Sequence, residues 1–140
     1  MKNITLLFFL VCAMLFAACC FEGHTTADGA ALKQYIEPAK LKDLAEKPRA
    51  DTWIVDVRPA DAYREGHIPT AKSFPSGEIM YRLKEIPKTQ NLILYCETGG
   101  RAQMVLKKLE AAGYTRMMNW GGGSRYFNSY GTEQGKEVKK

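Results

Sequence analysis

Cys96 ends the apolar run Leu92-Ile93-Leu94-Tyr95 and is followed by Glu97-Thr98-Gly99-Gly100-Arg101-Ala102. A thiol in that setting can act as a nucleophile. In parallel α/β sheets, ligands bind beyond the carboxyl ends of strands. The first N–H groups of a following helix lack intrahelical partners and carry the positive end of its dipole. Both stabilise negative charge on a sulfur placed there, and the thiolate is the form that attacks. Gly99 and Gly100 let the backbone bend so that several N–H groups turn inward as an anion nest. Arg101 adds a permanent cation at the edge. The competing reading is a small buried apolar side chain, which free cysteine often is.

The other cysteines sharpen the choice. Cys12, Cys19 and Cys20 lie in or beside an apolar leader, and Cys96 alone belongs to the body of the chain. Exported proteins usually pair their cysteines, so a lone one points to a free, reactive thiol. Few other residues compete for chemistry. His24 and His67 are the two imidazoles, and neither stands at metal-ligand spacing. Gly121-Gly122-Gly123 lacks the strand, helix and partner acid of a dinucleotide fingerprint and reads instead as a wall of the active-site mouth. The chain has a formal net charge of +5, but its basic residues are scattered and no aromatic residues interleave with them. That argues against a nucleic-acid partner.

The elements that must position Cys96 alternate between extended and helical. Tyr35-Ile36 reads as a short extended piece. Pro38 opens a helix to about Lys47, with Leu41, Leu44 and Ala45 on one face. Residues 53–57 (Trp-Ile-Val-Asp-Val) and 91–95 (Asn-Leu-Ile-Leu-Tyr) read as buried strands. Pro59 starts a short helix ending near Gly66, and residues 71–74 form a weaker strand. Gly77 to Lys84 reads as a helix with Ile79, Met80 and Leu83 as its apolar side. Arg101 to Ala112 is an amphipathic helix stopped by Gly113. Arg116 to Asn119 is a last strand, and Ser124 is placed to cap a short final helix. The expected fold class is α/β: one domain with a mostly parallel central sheet flanked by helices.

The amino-terminal residues have a different logic. Lys2, then the apolar stretch from Ile4, then small residues is the layout of a secretory signal. The ending Leu15-Phe16-Ala17-Ala18-Cys19 is similar to a bacterial lipoprotein signal, with Cys19 acylated; Cys20, preceded by Ala17-Ala18-Cys19, is the alternative. The stretch is also long enough for a retained membrane anchor. Each version places the domain outside the cytoplasm, in the periplasm or cell envelope. The expected organisation is a signal over residues 1–18, a flexible tether over 19–33, the domain over 34–131 and a charged tail over 132–140.

Residues 95–102 (Tyr-Cys-Glu-Thr-Gly-Gly-Arg-Ala) resemble the active-site loop of the rhodanese domain family. Residues 54–71, running from Ile-Val-Asp-Val-Arg-Pro through Glu-Gly-His-Ile-Pro-Thr-Ala, resemble that family's second signature, with Thr70 where glycine is usual. Asn119-Trp120-Gly121-Gly122-Gly123 is similar to its glycine-rich turn. The resemblance covers about residues 35–130. It implies sulfurtransferase activity with Cys96 as the catalytic nucleophile and residues 97–102 as the persulfide-binding loop. It also implies an ion pair of Asp56 with Arg58 near that loop and a structural role for His67 at a helix–turn junction. The spacing from Cys96 to Arg101 is C-x4-R. In the family, sulfurtransferases carry this length, while phosphatases and arsenate reductases carry one residue more.

The implied partners are a small sulfur donor, such as thiosulfate or a thiol persulfide, and a thiol or protein acceptor. Cyanide serves as acceptor in an assay. No cofactor is needed, and a monomer is expected. The alternatives are a non-catalytic persulfide-binding or sensing module and, less favoured by the loop length, a phosphatase or arsenate reductase. Glu97 leaves two orientations open: into the mouth, where it would repel a dianionic donor, or outward, paired with Arg101.

Overall fold

Three apolar runs form the parallel centre of one sheet in the computed structural model, which describes residues 23–133. They are β2 (Thr52–Asp56), β4 (Asn91–Cys96) and β5 (Met117–Gly122). Strands covered on both faces need near-continuous apolar sequence, which these have. β3 (Lys72–Ser73) lies parallel beside β2, and β1 (His24–Thr25) lies antiparallel beside β5. The strand order is β1-β5-β4-β2-β3. The helices are α1 (Pro38–Glu46), α2 (Ala60–Glu65), α3 (Gly100–Ala111) and α4 (Ser124–Tyr130).

Side chains alternate across β4 because successive Cβ atoms in a strand point to opposite faces. Leu92, Leu94 and Cys96 face α3, where Ala102, Val105, Leu106 and Leu109 are buried. Ile93 and Tyr95 face the other side, with Leu41 and Leu44 of α1, Trp120 and Tyr126. The α3 stripe recurs at three- and four-residue spacing, so its burial against the sheet supplies most of the helix's stability. Gly113, at φ 89, ends it in the left-handed region that favours glycine.

The structure corrects several expectations. The segment expected as a tether is packed: β1 pairs with β5, and Ala27–Ile36 forms a 3₁₀ helix. Its buried residues are Gly29 and Leu32, three apart, so a search for α-helical periodicity passes over it. The Thr26 hydroxyl donates to Thr115 O (2.6 Å) and accepts from the Met117 N–H (2.9 Å). A side chain at Gly29 would strike Met117 O, with its Cβ at 2.4 Å. The domain therefore includes residues well before 34, and Tyr35-Ile36 ends the 3₁₀ helix instead of forming an extended piece. Its end also moves, because Glu133 and His67 exchange backbone hydrogen bonds (2.8 and 2.9 Å).

The helix expected over 77–84 is two 3₁₀ turns, Ile79–Tyr81 and Leu83–Glu85. Ile79 is fully buried there, and Met80 and Leu83 are partly buried against the same core, so the expected apolar side does face inward, from 3₁₀ turns. Arg82 reaches back to Ser73 O (3.1 Å) and pairs with Glu85 (2.8 Å). Ser124 is the first helical residue of α4, with Gly123 at the cap position and no side-chain cap bond. The signal segment, Cys19, Cys20 and residues 134–140 lie outside the described residues.

If the segment before α1 belongs to the core, Leu32→Ala should lower the unfolding free energy by about 2–4 kcal/mol in urea denaturation. A loss below about 0.5 kcal/mol, the range of an exposed substitution, would return the segment to a tether.

Candidate active site

Cys96 is the last residue of β4, and its side chain lies beneath the surface at 1% exposure. The chain must leave the strand there and enter α3 within four residues. Gly99 makes that turn at φ 93, which a residue with a side chain rarely adopts. The turn brings the Gly99 N–H to the sulfur, where it donates to Cys96 Sγ at 3.1 Å. Gly99 is also the residue at the amino-terminal cap of α3, so the sulfur sits at the positive end of a helix of 12 residues. Glu97, Thr98, Gly100 and Arg101 are exposed around it.

Two buried networks hold this turn, and neither includes the sulfur itself. Asn119, fully buried in β5, donates from Nδ2 to Gly99 O (3.0 Å) and to Gln103 Oε1 (3.1 Å). Its Oδ1 accepts from the Gly121 N–H at 3.0 Å, which fixes the amide orientation. One side chain thus joins β5, the loop after Cys96 and α3. Gly122 allows the close approach behind the loop, since a Cβ there would lie 2.4 Å from Glu97 O. The Gly123 N–H donates to Cys96 O at 2.7 Å, so the glycine-rich turn packs against the carboxyl end of β4.

The second network lies under Tyr95. Asp56 Oδ1 accepts from the Arg58 N–H (2.9 Å), and Oδ2 accepts from Arg58 Nη2 (2.6 Å) and the Tyr95 hydroxyl (2.7 Å). Arg58 Nη2 also donates to Gly66 O at 2.6 Å, and the Tyr95 oxygen accepts from the Ile68 N–H at 3.1 Å. The guanidinium stands 5.2 Å from the centre of the Phe127 ring. Burial works against its charge, but the Asp56 hydrogen bonds and carboxylate outweigh that, so Arg58 is held above its ordinary value. The Asp56–Arg58 pair therefore anchors the residue that precedes the cysteine.

A family model described as a rhodanese-like domain matches residues 37–129. The chain belongs to the rhodanese-like domain family. A sulfurtransferase of Allochromatium vinosum is 36% identical over 73 residues, covering 52% of this chain and 68% of that protein. The thiosulfate sulfurtransferase GlpE of Pseudoalteromonas translucida is 27% identical over 90 residues, covering 64% and 84%. Among solved structures, a rhodanese-like domain protein of Staphylococcus aureus aligns with a TM-score of 0.60 at 29% identity. That alignment covers 71% of this chain and 95% of the other. The sheet described above is thus a rhodanese-like α/β fold.

The remaining candidates are distributed unequally around this rhodanese-like site. Arg101 Nη1 is 3.3 Å from Glu97 Oε2, and both side chains are exposed. Of the two orientations open for Glu97, the structure shows the outward one, paired from the loop with Arg101 in the first turn of α3. Ala102 is buried against the core below the loop. His67 stacks on Tyr63 (3.8 Å between ring centres), and its Nδ1 is 2.9 Å from Tyr63 O. Its backbone bridges to Glu133, so it lies in the turn after α2 and not in the cysteine loop. Sequence reasoning missed Asn119, Gln103 and Phe127. A polar residue inside the run Met117-Met118-Asn119-Trp120 was the available signal for the first of them.

Tyr95 gives this architecture a pH signature. Burial, reinforced by the Asp56 carboxylate, pushes its hydroxyl far above the ordinary value of 10.0. The folded state therefore keeps a proton that the unfolded chain releases. Stability from this group is complete below pH 10 and declines above it, by up to about 1.4 kcal/mol per pH unit. In urea denaturation between about pH 7 and 11.5, Tyr95→Phe should be less stable at neutral pH by about 1–3 kcal/mol. It should also show a shallower alkaline decline than the parent. Parallel declines would mean that Tyr95 does not carry the effect.

Proposed function

We propose that this rhodanese-like domain transfers sulfane sulfur through a Cys96 persulfide. The observation that carries the reading is the Gly99 N–H donating to Cys96 Sγ at 3.1 Å, at the start of α3. The Cys96 thiolate attacks the outer sulfur of thiosulfate. A sulfur–sulfur bond forms at Cys96 as the donor's own sulfur–sulfur bond breaks, and sulfite leaves with the bonding pair. Charge balances: a thiolate and a dianion give a persulfide anion and a dianion. The outer persulfide sulfur is then attacked by an acceptor. With cyanide, thiocyanate departs and the thiolate returns. Preorganised N–H groups stabilise the anion without reorganising at each step. A C-x4-R loop makes a tight nest, which suits a terminal sulfur better than a tetrahedral phosphate.

The same reading extends to location. We propose that the chain is exported and held at the membrane through an acylated Cys19 or Cys20, or by its retained apolar leader. Its layout of Lys2, apolar stretch and small residues supports this.

Cys96→Ala and Cys96→Ser should each reduce thiosulfate:cyanide turnover to background while changing stability by about 1 kcal/mol or less. Turnover like that of the parent in either variant would contradict the assignment. Glu97→Gln frees Arg101 to meet a dianionic donor. An exposed pair of this kind is worth about 0.2–1 kcal/mol, so kcat/KM for thiosulfate should rise about 1.5- to 5-fold at low salt, and the gain should shrink as salt is added. A gain that is absent at every ionic strength would show that the Glu97 charge does not reach the donor.

A further inference from the structure

We propose that the Cys96 mouth faces the bilayer and exchanges sulfur with a thiol held at the membrane surface. The inference rests on the anchoring reading above and adds an orientation that an anchor alone does not give. Strand β1 carries it. All the other strands run toward the Cys96 end of the sheet, whereas β1 is reversed, pairing His24 with Asn119 and Thr25 with Met118. Followed backward, the chain therefore climbs toward the end where Cys96 pairs with Gly122. Gly23 is fixed on that course by its N–H, which donates to Asn119 O at 2.8 Å.

The available reach is short. Cys20 and Cys19 stand three and four residues before Gly23. Even fully extended, those stretches span no more than about 11 and 14 Å. β1 is two strands from β4 in the sheet order, about 10 Å across at the usual strand spacing. A domain of this size has a radius of gyration of about 13 Å, which for a compact sphere means about 34 Å from end to end, so its opposite end is out of the anchor's range. An acyl chain inserted at either cysteine presents to the headgroups the end that carries exposed Glu97, Thr98, Gly100 and Arg101. A retained leader gives the same geometry. A bulky soluble protein is kept from the mouth, while a thiol at the membrane surface is brought to it. That thiol takes the outer sulfur, its proton passes to Cys96, and a new persulfide anion leaves.

The test uses the full chain, acylated in a bacterial host and reconstituted in vesicles with nitroxide-headgroup lipid. A bimane label is placed at Thr98→Cys, near the mouth, or at Ala50→Cys, at the opposite end before β2. Both chains carry Cys96→Ser, and whichever of Cys19 and Cys20 the intact mass shows unacylated is replaced by serine. Quenching should be several-fold stronger at position 98 than at 50. The difference should vanish when a Gly/Ser insert of about 20 residues, with an r.m.s. span of about 25 Å, follows Cys20. Equal quenching, or stronger quenching at 50, overturns the orientation. Absence of an acyl or retained-leader mass overturns the anchoring on which it rests.

A second arm keeps Cys96 and preloads it with sulfur. Discharge to a headgroup-linked thiol should outpace discharge to the same total amount of soluble thiol, because tethering raises effective concentration. Equal rates, or no loading at all, overturn the membrane-held partner. In the latter case the fault lies with sulfur transfer, and the quenching result stands apart from it.

Discussion

A strand that ends on a buried cysteine and enters a helix four residues later has few ways to place its backbone. Here the requirement is that the Gly99 N–H point at Cys96 Sγ, which forces Gly99 to φ 93. The loop's own hydrogen bonds include this one to sulfur and the Gln103 N–H donating to Gly99 O. Asn119 adds a constraint from behind by binding the Gly99 carbonyl and the Gln103 side chain together. A buried amide with all its partners rigidifies its surroundings, whereas a partly satisfied one is costly. No buried side-chain nitrogen or oxygen among the described residues lacks a partner.

The residue on the other side of Cys96 is constrained as firmly. Tyr95 cannot shift without disturbing Asp56, and Asp56 cannot shift without stranding Arg58, whose buried charge has Asp56 as its counter-ion. Breaking a buried pair by removing one partner typically costs about 3–5 kcal/mol. The carboxyl ends of β2 and β4 are therefore locked to each other, with Asp56 paired opposite Tyr95 in the ladder. Cys96 stands between a turn held by Asn119 and a strand end held by Asp56. Its sulfur is aimed by groups that it does not itself touch.

Much of this was legible in residue types. The alternation of LILYC, the α3 stripe and the glycines after Cys96 each report a local requirement, and local requirements leave local patterns. The spacing Asp56-Val57-Arg58 likewise permits a pair without any long-range information. Asn119 with Gly99, and Tyr95 with Asp56, are 20 and 39 residues apart, so no local pattern records them. The packed segment before α1 escaped for another reason. Its burial follows a three-residue period and relies on Thr26 and Gly29, residues that usually mark loops. The two 3₁₀ turns over 79–85 show the converse: Ile79, Met80 and Leu83 fit a helical pattern and do meet the core, but from 3₁₀ turns.

The central proposal is one chemical event, the formation of a sulfur–sulfur bond at Cys96. The measurement that addresses it directly is the intact mass of the protein after thiosulfate and then after cyanide. The mass should rise by one sulfur atom, located by peptide mapping on the segment that contains Cys96, and then return to its starting value. A mass that does not change, or sulfur that cyanide fails to remove, would contradict the account.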